Sequence, residues 1–112
     1  MTVEAFLKQP PTETCRLMDF ESAEVRPGIV NDTYFLTVAG TVMCFNMTVS
    51  LQPRIYVDQP EYWEIDVVGC LPGGICLPAN RPYNESIPLA GIRGTKGIEV
   101  VAANGRKRID VP

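Results

Sequence analysis

The chain has 112 residues, of which 46% are hydrophobic, and it carries a formal net charge of −3 at neutral pH. This length predicts one domain with a single core, and the hydrophobic content excludes intrinsic disorder. The apolar runs are too short to span a bilayer, and a chain without excess positive charge is not expected to bind nucleic acid.

The 9 glycines and 10 prolines are spread between short apolar stretches, which is typical of many short strands joined by tight turns. We therefore expect residues 1–112 to form a single all-β domain. Residues 1–12 are predicted to be an N-terminal arm or a short helix, because Pro10 and Pro11 end any helix that begins there.

Three stretches in the first half of the chain alternate between apolar and polar residues, as strands with one buried face do. Between residues 14 and 25 the apolar residues change twice from one side of the expected strand to the other, which predicts a long strand with a bulge or bend. Residues 33–39 predict a second strand. Residues 43–51 predict a third, in which Phe45 and Val49 face the same side.

The next segment predicts a hairpin followed by an edge strand. A turn at 58–61 separates predicted strands at 54–58 and 62–71, and the alternation of the second strand places Trp63 at the centre of the core. A short strand is expected at 86–91, where a proline confines it to the edge of a sheet.

The sequence Asn-Gly at 104–105 predicts a two-residue type I′ turn and a C-terminal hairpin. In the resulting register Glu99 lies opposite Asp110, an arrangement that a solvated face tolerates. Seven or eight short strands in total predict an antiparallel β-sandwich of immunoglobulin-like type, with a small β-barrel as the alternative.

The four cysteines, at positions 15, 44, 70 and 76, suggest no metal site. The spacing of Cys70 and Cys76 is longer than that of a usual zinc knuckle, and the chain has no histidine. We therefore predict no metal and no other cofactor. A Cys70–Cys76 disulfide is one interpretation, but four buried free thiols are the favoured one.

The absence of histidine also removes the usual general base near neutral pH, so the chain is not expected to be an enzyme. Tyrosines at 56, 62 and 83 could stack on a sugar. However, the alternation assigns the neighbouring tryptophan to the core, so carbohydrate is a weaker prediction than a protein partner.

The segment from Cys70 to Pro82 is the predicted binding site, because it combines apolar side chains with residues that restrict loop entropy. A protein partner, or a second copy in a homodimer, would use Ile75 and Leu77 as anchors. The alternative is that the loop folds back and caps the sandwich. The predicted binding residues are Leu71, Pro72, Gly73, Gly74, Ile75, Leu77, Pro78 and Arg81.

Two features of the sequence point to different compartments. The N-terminus lacks the basic and apolar regions of a signal peptide, which predicts a cytoplasmic protein. Asn31, Asn46 and Asn84 each begin an N-glycosylation motif, whereas roughly half a match to this pattern is expected by chance. If Met1 replaces a removed signal, the alternative is a secreted or envelope domain that binds a ligand or carbohydrate and is linked by Cys70–Cys76.

Overall fold

The computed structural model describes residues 13–111, and the arm or short helix predicted at 1–12 lies outside this range. The described chain forms eight strands: β1 (Glu13–Leu17), β2 (Ser22–Pro27), β3 (Tyr34–Cys44), β4 (Thr48–Pro53), β5 (Tyr62–Pro72), β6 (Pro78–Pro88), β7 (Gly97–Ala102) and β8 (Gly105–Asp110). These strands lie in two sheets, which confirms the predicted all-β sandwich. Between residues 13 and 111 no helix is long and apolar enough to cross a membrane.

The five-stranded sheet is built around β5. One edge of β5 pairs with β4 over residues 65–70, and the other edge is divided between two strands. There β7 runs parallel to residues 62–66 and β1 runs antiparallel to residues 68–72. β8 pairs with β7, and the second sheet has the order β2-β3-β6. The β5 to β7 pair is parallel, a departure from the predicted antiparallel pattern, because β6 lies between them in the chain but in the opposite sheet.

The core lies between the two sheets and consists mainly of alternate residues of β3, β5 and β7. Burying a large aliphatic side chain contributes about 1.5–3 kcal/mol to the stability of the fold. The largest fully buried side chains of the core are Leu36, Met47, Ile65, Leu89, Ile98, Val38, Val42, Val67 and Val100.

Trp63 lies at the edge of this core, so the prediction that it forms the centre is wrong. Its ring meets that of Tyr56 edge to face, with the centroids 5.1 Å apart, and its Nε1 donates to Arg54 O at 2.8 Å. The indole N–H needs an acceptor, and the apolar centre of a sandwich offers few because strand pairing uses the backbone oxygens. Ile65, further along the same strand, takes the central position and is 0% exposed.

The chain bends between β1 and β2 and changes sheet there, so the prediction of one long strand over residues 14–25 is wrong. β1 pairs with β5, whereas β2 pairs with β3 in the opposite sheet. Met18 lies at the crossing, where its N donates to Val67 O at 2.9 Å and its O accepts from Ala103 N at 3.0 Å. The bend is therefore fixed by backbone bonds to the five-stranded sheet.

A β-turn interrupts residues 43–51, so the prediction of one continuous strand is wrong. β3 ends at Cys44, and Met47 N donates back to Cys44 O at 3.0 Å. Phe45 is 56% exposed and Val49 is 9% exposed, so the two do not share a face. The turn shifts the buried positions from even numbers, such as Cys44, to odd numbers, such as Met47. The sequence conceals this shift because Met43 and Phe45 are apolar although they are exposed, so the odd-numbered alternation continues unbroken across the turn.

β5 pairs with β4 and not with a strand at 54–58, so the predicted hairpin is wrong. β4 ends at Pro53 and residues 54–61 are irregular, so the predicted strand at 54–58 is wrong. The indole N–H of Trp63 donates a hydrogen bond to Arg54 O, an acceptor that a continuing strand would use for pairing. The connection between the two strands is therefore longer than the predicted turn.

β6 is longer than the strand predicted at 86–91 and begins earlier, at Pro78. It pairs with β3 and forms one edge of the three-stranded sheet. Its prolines, at 78, 82 and 88, all occupy even-numbered positions of the strand. An edge strand tolerates them because its outward side needs no N–H donors. The pairing also converts residues 78–82, which were expected to be loop, into strand.

The C-terminal hairpin forms, but its register differs from the predicted one. Ala102 pairs with Gly105, and the two residues between them make the turn. Glu99 consequently faces Arg108 and not Asp110. The predicted register sets two carboxylates opposite each other, whereas the observed one pairs opposite charges, which is the more stable cross-strand arrangement.

Glu99 is held by two arginines on the outer face of this hairpin. It is 6% exposed, and its carboxylate accepts from Arg106 at 3.1 Å and from Arg108 at 3.0 Å. Burial alone would raise the pKa of Glu99, but the hydrogen bonds from Arg108 and Arg106 outweigh it and lower the pKa below the ordinary 4.5. The ionised carboxylate therefore stabilises the folded state.

We expect this stabilisation to be present above pH 4.5, the ordinary pKa of the group, and to be lost as the pH falls through the lower folded pKa. Glu99→Gln should have a lower free energy of unfolding than the parent at pH 7, and this difference should disappear in acid. Urea unfolding at a series of pH values measures this difference. Parallel stability curves across the acid range would contradict the assignment.

Five of the seven loops between strands β1 to β8 lie at the two ends of the sandwich. Residues 45–47 and 73–77 lie at one end, which we call the disulfide end because both cystines are near it. Residues 28–33, 54–61 and 89–96 lie at the opposite end.

Candidate protein-binding site

The predicted binding residues are divided among two strands and a loop shorter than expected. Leu71 and Pro72 end β5, and Pro78 and Arg81 belong to β6. The loop at the disulfide end is therefore residues 73–77, which contain the remaining four predicted residues: Gly73, Gly74, Ile75 and Leu77.

Two glycines reverse the chain where this loop leaves β5. Gly73 and Gly74 have φ angles of 70° and 73°, in the left-handed region that side chains disfavour. Gly74 N donates to Leu71 O at 3.0 Å, which closes the turn. The two glycines are therefore needed for the left-handed conformation of this turn, and the exposed apolar residues of the loop come after them in the chain.

A disulfide fixes the far side of the loop. Cys76 is bonded to Cys44 at the end of β3, with Cα atoms 5.1 Å apart, and Cys70 is bonded to Cys15, its direct partner in the β1 to β5 register. All four cysteines are thus paired, and both earlier interpretations, the Cys70–Cys76 disulfide and the free thiols, are wrong. Strand pairing brings each cysteine to a partner distant in sequence.

Asn46, which sequence reasoning did not place in the site, ties the loop to the β3 to β4 turn. Its Nδ2 donates to Ile75 O at 2.7 Å, and its Oδ1 accepts from Leu77 N at 3.0 Å. Phe45 N donates to Leu77 O at 2.8 Å. An asparagine within an apolar alternation is a turn signal, and this was the sequence clue to the role of the residue.

Arg81 supports the same turn from β6. Its Nε donates to Phe45 O at 3.1 Å, and its guanidinium also donates to Met47 O. These bonds assign Arg81 a positioning role, whereas the sequence suggested that it contacts a partner.

The result is an apolar patch, defined here as Phe45, Ile75 and Leu77. Their exposed fractions are 56%, 67% and 52%, so the loop does not fold back to cap the core. Their backbones are joined by the hydrogen bonds and the disulfide described above. The three side chains are thereby held in solvent on a fixed frame.

The patch offers apolar contact and no acid–base chemistry. Among residues 13–111 no cluster of possible metal ligands is present. Tyr83 of β6 has a structural role. Burial raises the pKa of its hydroxyl, and the hydroxyl donates a hydrogen bond to Asp19 O at 2.6 Å. The tyrosines suggested for sugar stacking are likewise engaged separately, since Tyr56 packs on Trp63 and Tyr62 donates to Asp110 at 2.7 Å.

A concave surface lies at the opposite end of the sandwich. It is a cleft of about 300 Å³ whose walls include Ile29, Val30, Phe35 and Leu89. Ile29 is 104% exposed and Val30 is 68% exposed, so these two side chains form its outer rim.

Comparison with known proteins adds no relative: no family model, curated protein or solved structure matches this chain.

Proposed function

We propose that the chain is a non-enzymatic binding module that recognises a protein partner through the apolar patch. The observation that carries this proposal is the rigid display of Phe45, Ile75 and Leu77, each more than half exposed. Large apolar side chains are costly to leave in water, and a fixed loop loses little entropy when a partner covers it. Such residues commonly act as the anchors of an interface.

The frame around the patch supports the same proposal. The disulfide and two hydrogen bonds with the Asn46 side chain hold the 73–77 loop, and two bonds from Arg81 hold the neighbouring β3 to β4 turn, which carries Phe45. Several constraints on a surface loop are expected when its shape must be preorganised for binding.

We also propose that the module acts in an oxidising compartment, as a secreted or cell-surface domain and not in the cytoplasm. The two disulfides join cysteines that are separated by 55 and by 32 positions in the sequence. Such cross-links persist outside the cytosol and are rare within it.

The proposal predicts that Ile75→Ser with Leu77→Ser weakens partner binding at least about tenfold, since an interface anchor contributes more than about 1.4 kcal/mol. The matched control is Ile55→Ser with Val57→Ser, which changes two exposed residues, 96% and 102% accessible, at the opposite end. Quantitative mass spectrometry of proteins retained by each immobilised form, followed by titration of the enriched partner, measures the effect.

Analytical ultracentrifugation of the same variants tests whether the partner is a second copy of the chain. Concentration-dependent dimers that disappear in the patch variant identify a homodimer. Both variants should unfold within about 0.5 kcal/mol of the parent because the altered residues are exposed. If the patch variant is monomeric like its parent and retains the same proteins in the same amounts, the proposed site is wrong.

A further inference from the structure

We propose that Asn31 and Asn84 are acceptors of N-linked oligosaccharides and that Asn46, which matches the same motif, is not. The inference rests on the proposed oxidising compartment, because N-glycosylation and disulfide formation both occur along the secretory route. The two observations are independent: one concerns sequence motifs and the other concerns cysteine pairing in the fold. The structure then distinguishes the three motifs by what each carboxamide contacts.

Asn31 is exposed in the loop between β2 and β3, at the end opposite the patch. Thr33 N donates to Val30 O at 3.2 Å, so the asparagine occupies a tight turn that projects from the sandwich. The two preceding residues, Ile29 and Val30, are 104% and 68% exposed. A glycan at this position would cover apolar surface that the fold itself leaves in water.

Asn84 is exposed on the outer face of the three-stranded sheet. It belongs to the edge strand β6, next to Tyr83, whose side chain points into the core and is 5% exposed. Alternation along the strand sends Asn84 and Ser86 outward together. An oligosaccharide attached here would extend into solvent without disturbing the interface between the sheets.

Asn46 has a carboxamide that is already in use. Its Nδ2, the atom that would carry the sugar, donates to Ile75 O at 2.7 Å, and its Oδ1 accepts from Leu77 N at 3.0 Å. A glycan at this nitrogen would be pressed against the 73–77 loop. Modification at this position is therefore incompatible with the contacts that Asn46 makes in the folded chain.

The chemistry is a group transfer without oxidation. The carboxamide nitrogen forms a bond to the anomeric carbon of an oligosaccharide carried on a lipid diphosphate. The bond from that carbon to the diphosphate oxygen breaks, the diphosphate leaves with the electron pair, and the nitrogen loses one proton to solvent. The oligosaccharide donor is thus the co-reactant that the secretory route must supply.

The pattern of occupancy determines which surfaces stay accessible. A glycan at Asn31 shields the end with the cleft, and one at Asn84 shields the outer face of the three-stranded sheet. Both leave the apolar patch uncovered, whereas a glycan at Asn46 would lie within it. The glycans would therefore direct a partner to the disulfide end.

The test is secretion of the full chain from cultured mammalian cells behind a cleavable signal, followed by mass spectrometry. Enzymatic removal of glycans in heavy-oxygen water converts each occupied asparagine to labelled aspartate, so occupancy is read from the parent protein without any variant. We expect label at positions 31 and 84 and none at 46. Asn31→Gln and Asn84→Gln should each remove one glycan mass, and Asn46→Gln should remove none.

A secreted chain without glycans, or one labelled at position 46, overturns the inference. Partner binding is measured separately on unglycosylated protein. A patch that binds its partner on a chain that takes no glycan would therefore refute this inference and leave the proposed function standing.

Discussion

Replacing Cys44 and Cys76 by serine is expected to lower the free energy of unfolding by about 4 kcal/mol, the loop-closure entropy for their separation of 32 residues. The other disulfide, whose cysteines are 55 residues apart, contributes about the same amount. Domains of this kind have a total stability of about 5–15 kcal/mol. Reducing both cross-links should therefore leave the chain largely unfolded at 37 °C, as circular dichroism during thermal unfolding will show.

The two single-disulfide variants form a matched pair for function. Removing Cys15–Cys70 costs similar stability but leaves the 73–77 loop attached to the end of β3. Removing Cys44–Cys76 releases that loop, so at a temperature where both variants remain folded it should weaken partner binding much more. Equal losses of binding in the two variants would show that the disulfide at the patch has no positioning role.

Gly97→Ala is expected to destabilise the chain by about 3 kcal/mol or more, because the added methyl has no space. A Cβ at Gly97 would lie 2.0 Å from Ile109 O and 2.8 Å from Asp110 Cα, both on the neighbouring strand β8. Backbone atoms cannot rotate away as a flexible side chain can. β7 would have to separate from β8 at the position where this glycine pairs with Asp110.

Gly91→Ala is the control for this substitution. Nothing lies within 4 Å of a Cβ at that glycine, but its φ of 77° is unfavourable for alanine. The expected cost is about 1 kcal/mol, which arises from backbone conformation alone. Chemical denaturation of the two variants separates the effects, and equal losses would contradict a steric origin at Gly97.

The fold class could be predicted from sequence because alternation follows directly from the geometry of a half-buried strand. Leu36 and Val38 in β3, like Ile65 and Val67 in β5, are buried as their spacing predicts. The positions of turns were harder to predict. Asn46 signalled a turn, but the alternation of its neighbours continued across it and pointed to an unbroken strand.

The candidate site was only partly predictable. Its apolar anchors, Ile75 and Leu77, stood out because they follow glycines between prolines. Phe45 did not, since it lies 30 residues earlier in the chain and reaches the loop through the pairing of β3 with β6. Long-range strand order decides such neighbours, and local patterns carry no information about it. The same reason explains why the cysteine partners were missed.

The divided edge of β5 has a consequence for the order in which the chain folds during synthesis. β1, β4 and β5 can pair once residue 72 has left the ribosome, and the bond between Cys15 and Cys70 can lock them. Residues 62–66 must then wait for β7, which is made later and is buried along its whole length. Until the last two strands arrive, the nascent domain carries an open, apolar strand edge of the kind that recruits chaperones or aggregates.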